Sequence, residues 1–429
     1  MIQSFKKIEK ISGELTLPGD KSISHRALIF SALSEGESRI QNLPNSDDVN
    51  STIRCLRDLG VEIRKDNNLI TAIGKGFKGF RKPAEPLNAG NSGTTARLLS
   101  GILSVQNFQS TLVGDSSLSI RPMKRIIEPL SMMGTNIRSS DSYTLPLTFN
   151  PPSKINSIKY ELPVPSAQVK SAILLAGMHC DETTTVIENA ITRDHTERML
   201  GLKVEKTTDK IFSFVSRSDY PEAQDYYIPG DISSAAYFIV LTLLTKNSCL
   251  TLKNVSLNPI RIGFLEILMN MGGDIIFKIT HSSNNESYGD VVVNSSELEN
   301  IEITKDIIPR IIDEIPILAV AGVFAKGNFE LRFAEELRVK ESDRIHSACR
   351  NFAMLDLDVE ELNDGFKISG NIKIDNPVFN SFGDHRIAMA FGILSSLLEN
   401  GGQVDGFECV SVSNPDYLLQ LNSITSEKL

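Results

Sequence analysis

The chain has 429 residues, 41% hydrophobic and 23% charged, with 28 Gly and 18 Pro, a composition that excludes a disordered, collagenous or disulfide-scaffold protein. Its 44 Lys and Arg against 53 Asp and Glu give a net charge of −9, which argues against nucleic acid or an anionic membrane as the main partner. A small anionic ligand stays compatible with that charge, because a basic site can sit inside an acidic protein.

In chain order, Met1–Lys7 lacks the apolar core of a secretory signal, and no stretch reaches the roughly 18 apolar residues of a membrane span, so a cytoplasmic protein is expected. The segment Lys7–Leu17 reads as a strand hairpin. At Lys21-Ser22-Ile23-Ser24-His25-Arg26 a unit begins that has a polar start, an Ala/Leu-rich helix and a short strand. It recurs from Asn91, Ser166, Asp231, Asp313 and Asp384, giving six copies about 65 to 80 residues apart. Between the copies lies an amphipathic helix, a break and a strand hairpin, as in Thr52–Ile63, Met123–Ile137, Glu197–Val204, Phe264–Ile275 and Asp343–Val359. The break is Gly60, Gly134, Gly201 or Gly272, as a left-handed helix cap requires, and Asp356 in the last copy. A sixth such helix, Asp416–Leu421, has no strands after it, so the N-terminal strands are expected to complete its unit. Six βαβαββ-like units then form an α/β fold of two domains with three units each. One is continuous (18–228) and the other combines 1–17 with 229–429.

Three apparent motifs carry nothing. Gly74-Lys75-Gly76-Phe77-Lys78-Gly79 matches a dinucleotide fingerprint, but Pro83 and Pro86 deny it the helix that would face a pyrophosphate. Gly19-Asp20-Lys21-Ser22 has Asp where a phosphate-binding loop needs Gly. The 5 Cys form no Cys-x-x-Cys pair and the 6 His no metal spacing, so buried reduced thiols and no protein-built metal site are expected.

In the repeat reading, six equivalent helix N-termini face the gap between the two halves, each with unpaired N–H groups and a positive dipole end. Lys21, Arg26, Arg97, Arg121, Arg193, Lys340, Arg344 and Arg386 add cations at those places. Arg suits bidentate capture of carboxylate or phosphate, and Lys a point contact or proton relay. Ser22, Ser166, Asp231, Asp313 and Asp384 also read as helix N-caps. Lys340 and Arg344 lie one helical turn apart with Glu341 beside them.

Leu17–Ala27, Gly90–Arg97, Arg121-Pro122-Met123, Ser166–Ser171, Thr192–Glu197, Arg338–Arg344 and Asp384–Met389 together resemble, in order and over nearly the whole chain, the 5-enolpyruvylshikimate-3-phosphate synthase family of enolpyruvyltransferases. The resemblance implies two inside-out, barrel-like α/β domains of three repeats each, joined by two crossover segments, with the active site in the cleft between them. It implies a cytoplasmic monomer that needs no cofactor and takes shikimate 3-phosphate and phosphoenolpyruvate. The reaction implied is transfer of enolpyruvyl to the 5-hydroxyl of shikimate 3-phosphate by addition and elimination. By the same resemblance Lys21, Ser22 and Arg26 hold the shikimate carboxylate side, and Lys21 also touches phosphoenolpyruvate. Ser166, Ala167, Gln168 and Arg193 hold the shikimate phosphate region, with Ala167 standing where other members have a second Ser. Asn91 joins the substrate-binding set, while Gly93, Arg121, Arg344 and Arg386 hold phosphoenolpyruvate. Asp313 is the base, with Lys21 its rival, Glu341 is the acid, and Lys340 binds the ring. Val412 takes the place of a Lys that some members carry. The sister transferase acting on UDP-N-acetylglucosamine is the alternative, but its reactive Cys has no counterpart in Asp115–Arg121.

Overall fold

The computed structural model describes residues 1–425, so the last four residues of the expected second domain lie outside the described residues. The chain opens with β1 (Ile2–Phe5) and β2 (Ser12–Thr16). The first repeat follows as α1 (Lys21–Leu33), β3 (Glu35–Gln41), α2 (Asp47–Asp58), β4 (Glu62–Asp66) and β5 (Leu69–Lys75). The second is β6 (Leu87–Asn88), α3 (Gly93–Leu103), β7 (Ser110–Val113), α4 (Ser116–Ser119), α5 (Lys124–Met132), β8 (Asn136–Arg138) and β9 (Leu147–Asn150). The third is β10 (Lys159–Glu161), α6 (Ala167–Gly177), β11 (Thr184–Glu188), α7 (His195–Leu200), β12 (Val204–Lys206) and β13 (Ile211–Val215). The fourth is β14 (Tyr226–Tyr227), α8 (Ile232–Leu244), β15 (Cys249–Ser256), α9 (Gly263–Asn270), β16 (Asp274–Ser283) and β17 (Glu286–Asn294). The fifth is α10 (Ile308–Ile311), α11 (Ile315–Phe324), β18 (Phe329–Leu331), α12 (Arg344–Ala353), β19 (Asp358–Leu362) and β20 (Gly365–Ser369). The sixth is β21 (Val378–Asn380), α13 (His385–Leu397), β22 (Gly402–Asp405) and α14 (Tyr417–Ile424).

The repeats form six separate sheets. An N-terminal unit comprises Gly19–Ile228 with Ser282–Glu286, and a C-terminal unit comprises Met1–Pro18, Pro229–His281 and Ser287 onward. In the N-terminal unit the orders β14-β3-β5-β4, β6-β7-β9-β8 and β10-β11-β13-β12 repeat one pattern. A lead strand pairs in parallel with the second, and an antiparallel hairpin completes the sheet. The C-terminal unit holds β2-β15-β17-β16, β18-β20-β19 and β21-β22-β1. The strands leading into α1 and α8 are exchanged: β2 pairs with β15, and β14 pairs with β3.

The N-terminal strands are therefore not the expected hairpin. β1 runs antiparallel to β22 and supplies a strand to the sixth sheet, whereas β2 joins the fourth. The residues between them are engaged elsewhere: Ile8 N–H donates to the Ser396 carbonyl (2.9 Å) and Ile11 N–H to Ser248 Oγ (2.8 Å).

In each unit three helices form the centre, α1, α3 and α6 in one and α8, α11 and α13 in the other. Each unit has its own hydrophobic core. α11, Ile-Pro-Ile-Leu-Ala-Val-Ala-Gly-Val-Phe, is apolar all round, the pattern of a helix surrounded by protein. Two hydroxyls on these helices bond back one turn, Ser100 Oγ to the Ala96 carbonyl (2.7 Å) and Thr242 Oγ1 to that of Phe238 (2.7 Å), so burial leaves this pair partnered, whereas Ser31 Oγ and Ser395 Oγ are buried without a hydrogen bond among the described residues. α2, α5, α9 and α12 lie further out and bury one face only. After α2, α5, α7 and α9 the chain reverses in the left-handed region, at Gly60, Gly134, Gly201 (φ 65°) and Gly272 respectively. Asp356 adopts the same conformation (φ 59°), as expected where the repeat lacks Gly.

α3 packs tightly on α6 at Gly101, where a Cβ would lie 2.3 Å from the Ala172 carbonyl oxygen. Gly101→Ala must force the two helices apart and is expected to cost about 1–3 kcal/mol. Denaturant unfolding checks this, and a variant as stable as the wild type would contradict the packing. Of the Cys residues, all free, Cys55, Cys180 and Cys349 are buried, but Cys249 is exposed and Cys409 half-buried, contrary to the uniform burial expected.

Candidate active site

The site residues of the N-terminal unit stand at the starts of its helices. Gly19 lets the backbone pass against Asn42, whose carbonyl oxygen would lie 2.2 Å from a Cβ there. Asp20, not Ser22, then caps α1 by accepting from Ile23 N–H (3.0 Å), which frees Ser22 from the expected cap role. Lys21 Nζ forms an ion pair with Asp48 Oδ2 at 2.7 Å. Arg26 is buried and donates three bonds to neutral oxygens: Ser22 carbonyl (2.9 Å), Thr196 Oγ1 (2.7 Å) and Ser171 Oγ (2.8 Å). Burial lowers its guanidinium to about 10, with Glu197 and then Glu286 acting in the opposite sense.

Ser92 caps α3, and Gly93 is its first residue. A Cβ on Gly93 would sit 3.1 Å from Arg97 Nη1 and 3.5 Å from Arg121 Nη1, so the bare glycine keeps open the space beside two guanidinium groups. Arg121 donates to Asn91 Oδ1 (2.9 Å) and Ser117 Oγ (3.2 Å). Ser166 caps α6, whose first two residues are Ala167 and Gln168. Gln168 accepts from Arg97 Nη1 (2.5 Å) and donates to Thr94 Oγ1 (2.9 Å), joining the starts of α3 and α6. Arg193 lies immediately before Asp194, the residue that precedes α7. Asp48 lies outside every matched run, while Thr94, Ser171 and Thr196 lie within matched runs without an assigned role of their own.

In the C-terminal unit the charged residues converge on Arg344, the first residue of α12 and 1% exposed. Its guanidinium meets three carboxylates: Asp384 Oδ2 (2.7 Å), Asp313 Oδ1 (3.1 Å) and Glu341 Oε2 (2.5 Å). Burial works against its charge, but Asp384, Glu341 and Asp313 outweigh that and hold its pKa above the ordinary arginine value. Lys340 Nζ is 4.0 Å from Asp313 Oδ1. Arg386 donates to the Asp313 carbonyl (3.0 Å), and its Nη2 lies 3.7 Å from Asp313 Oδ2. Asp384 caps α13 by accepting from Arg386 N–H (2.8 Å), so it serves both as cap and as counter-ion.

Two expectations need correction in this cluster. Asp313 is not a cap: it lies between α10 and α11, and Glu314 takes the position preceding α11. Lys340 and Glu341 are not on the helix of Arg344. A short 3₁₀ turn ends at Val339, Lys340 is extended, and Asp343 caps α12 by accepting from His346 N–H (3.0 Å). Glu341 reaches Arg344 from a loop.

The EPSP synthase (3-phosphoshikimate 1-carboxyvinyltransferase) family model matches residues 5–421. The chain belongs to the EPSP synthase family. It is 46% identical over 417 residues to the 3-phosphoshikimate 1-carboxyvinyltransferase of Petrotoga mobilis, covering 95% of this chain and 96% of that protein. It is 42% identical over 429 residues to the enzyme of that name from Salinibacter ruber, covering 99% and 100%. EPSP synthase from Acinetobacter baumannii superposes with a TM-score of 0.86 at 37% identity, over 99% of this chain and 98% of that one. The enolpyruvyl transferase NikO from Streptomyces tendae shares the fold, with a TM-score of 0.74 at 15% identity over 99% and 97%. The EPSP synthase relatives favour this reading over the UDP-N-acetylglucosamine alternative, and Asp115–Arg121 supplies a capped turn, α4, rather than a thiol.

Proposed function

We propose that this member of the EPSP synthase family transfers the enolpyruvyl group of phosphoenolpyruvate to the 5-hydroxyl of shikimate 3-phosphate and releases phosphate. The observation that supports it most is the Arg344 cluster, where one buried guanidinium aligns the two carboxylates that acid and base chemistry needs.

Asp313 takes the 5-hydroxyl proton as that oxygen attacks C2 of phosphoenolpyruvate, and Glu341 delivers a proton to the methylene carbon. A tetrahedral intermediate that still carries the phosphate results. Glu341, left as a carboxylate, then takes a proton back from the new methyl group while the C2–O bond to phosphate breaks, which forms the enol ether, and the phosphate departs with the proton that Asp313 had taken. Arg344, Arg386 and Arg121 hold the phosphoenolpyruvate anion, and the backbone at Gly93 approaches it closely. Lys340 binds the hydroxylated ring. Ser166, Gln168 and Arg193 hold the shikimate phosphate, with Ala167 contributing backbone only. Ser22 and Arg26 take the shikimate carboxylate, and Asn91 steadies Arg121. Lys21, ion-paired to Asp48, contacts both anions rather than acting as the base. Val412 closes a 3₁₀ turn and offers phosphoenolpyruvate no charge. The same reading makes the enzyme a cytoplasmic monomer without a cofactor, and sedimentation of the purified chain tests whether it is a monomer.

Phosphate is expected to appear only when both shikimate 3-phosphate and phosphoenolpyruvate are present. A coupled phosphate-release assay checks this, and no release with both substrates would overturn the assignment.

A further inference from the structure

A buried ion cluster in the N-terminal unit takes no part in the chemistry above. Lys170, on α6, is 1% exposed and lies 2.7 Å from Glu188 Oε2 and 2.6 Å from Glu197 Oε1. Glu188 ends β11 and also accepts from the Thr192 hydroxyl, next to Arg193. Glu197, on α7, accepts from Ser213 Oγ at 3.3 Å. A buried ion pair adds little net stability over apolar packing, so stability alone is a weak reason for this one.

Its neighbours in sequence supply a reason. The residue after Lys170 is Ser171, and the residue before Glu197 is Thr196; their hydroxyl oxygens are 2.8 Å apart. Both accept from Arg26, at 2.8 and 2.7 Å. The protons can be placed. Ser171 Oγ donates to the Ala167 carbonyl (2.7 Å), so Thr196 Oγ1 donates to Ser171, and each oxygen keeps a lone pair for the guanidinium. The two oxygens that aim Arg26 are thus carried by α6 and α7, and Lys170–Glu197 ties those two helices together one residue away. Among the described residues no ion pair within 4.0 Å includes Arg26, so its orientation depends on these neutral oxygens and on charge held just behind them.

We propose that the Lys170–Glu197 pair is a positioning clamp that sets α7 against α6 and so aims Arg26 at the carboxylate of shikimate 3-phosphate. The inference rests on the reading that this chain binds that substrate through Arg26. Glu197 acts through Thr196 and Arg26 and does not touch substrate. Glu197→Gln leaves Lys170 paired with Glu188, so the core retains one compensated charge pair.

The test measures binding of shikimate 3-phosphate alone by calorimetry, and KM for each substrate in steady state, for Glu197→Gln, Thr196→Val, their double variant and Leu147→Ala. Leu147 is fully buried in β9 of the same unit, so Leu147→Ala serves as the destabilised control. Glu197→Gln is expected to weaken shikimate 3-phosphate binding about tenfold while KM for phosphoenolpyruvate changes less than about twofold. Leu147→Ala should lower the melting temperature and leave both unchanged. The double variant should bind no more weakly than Thr196→Val, because Glu197 acts on Arg26 through the Thr196 hydroxyl. Glu197→Asp, which keeps the charge but retracts it, should fall between wild type and Glu197→Gln; it also decides the matter if Glu197→Gln does not fold. Wild-type affinity in either Glu197 variant, or independent losses in the double variant, would overturn the clamp. Failure of the wild type itself to bind shikimate 3-phosphate would instead remove the functional reading beneath it.

Discussion

Asp313→Asn is expected to lower kcat by about 10²–10⁴-fold with little change in either KM. The side chain is held from several sides. Oδ1 is 3.1 Å from Arg344 Nη1 and 4.0 Å from Lys340 Nζ, Oδ2 is 3.7 Å from Arg386 Nη2, and the main-chain carbonyl accepts from Arg386 at 3.0 Å. An amide keeps the shape and one accepting oxygen but cannot take up the 5-hydroxyl proton. Arg344 retains Asp384 and Glu341, so no buried guanidinium is stranded and the fold should persist. Phosphate release under saturating substrates, beside a thermal melt of the same preparation, separates chemistry from folding. An unchanged kcat in a folded variant would remove Asp313 as the base and return that role to Lys21. An equal fall in Glu341→Gln would complete the assignment of the pair.

The repeats were legible because each central helix follows a polar start with a run rich in small and apolar residues, and five of the outer helices end on Gly or, once, Asp356. Both features are local, so they survive in the sequence. Strand exchange is not local. The β2 sequence Ser-Gly-Glu-Leu-Thr says nothing about whether it pairs with its neighbour β1 or with β15, more than 200 residues later. The hairpin expected at Lys7–Leu17 does not form, because residues 7–10 are in no strand and the one strand of that span, β2, pairs with β15.

At the site, the cations were legible because they recur at helix starts, but most of their partners were not. Arg26 bonds Ser171 and Thr196 across 145 and 170 residues, and Arg344 bonds Asp384 across 40. Thr196 and Glu197 belong to the run Thr192–Glu197, whose match already marked the segment, and that was the available signal for the clamp. The misplacement of Lys340 has a different cause. A spacing of four implies one helical face only if the helix is already under way, and Asp343 starts it three residues too late. Asp343-x-x-His346 is the local cap that decides the boundary.

Arg344→Met should be the most damaging single change in the C-terminal unit. Nε, Nη1 and Nη2 of Arg344 are spent on Asp384, Asp313 and Glu341, at 2.7, 3.1 and 2.5 Å. Removing the guanidinium leaves three carboxylates facing one another, and Asp384, 0% exposed, has no access to water. Breaking a buried pair by deleting one partner costs about 3–5 kcal/mol, and here one cation serves three anions. For a unit of this size such a loss lowers the melting temperature by roughly 6–20 °C. The damage spreads to α13, because Asp384 also caps that helix through Arg386 N–H, and Arg386 is itself assigned to phosphoenolpyruvate. Arg344→Lys should recover part of the stability but little of the turnover, since one ammonium cannot direct separate N–H bonds to three carboxylates. Calorimetric melts of both variants, with and without substrates, measure the effect. A loss below about 1 kcal/mol in Arg344→Met would place the cluster with exposed ion pairs, and Asp313 and Glu341 would then need some other group to hold them in register.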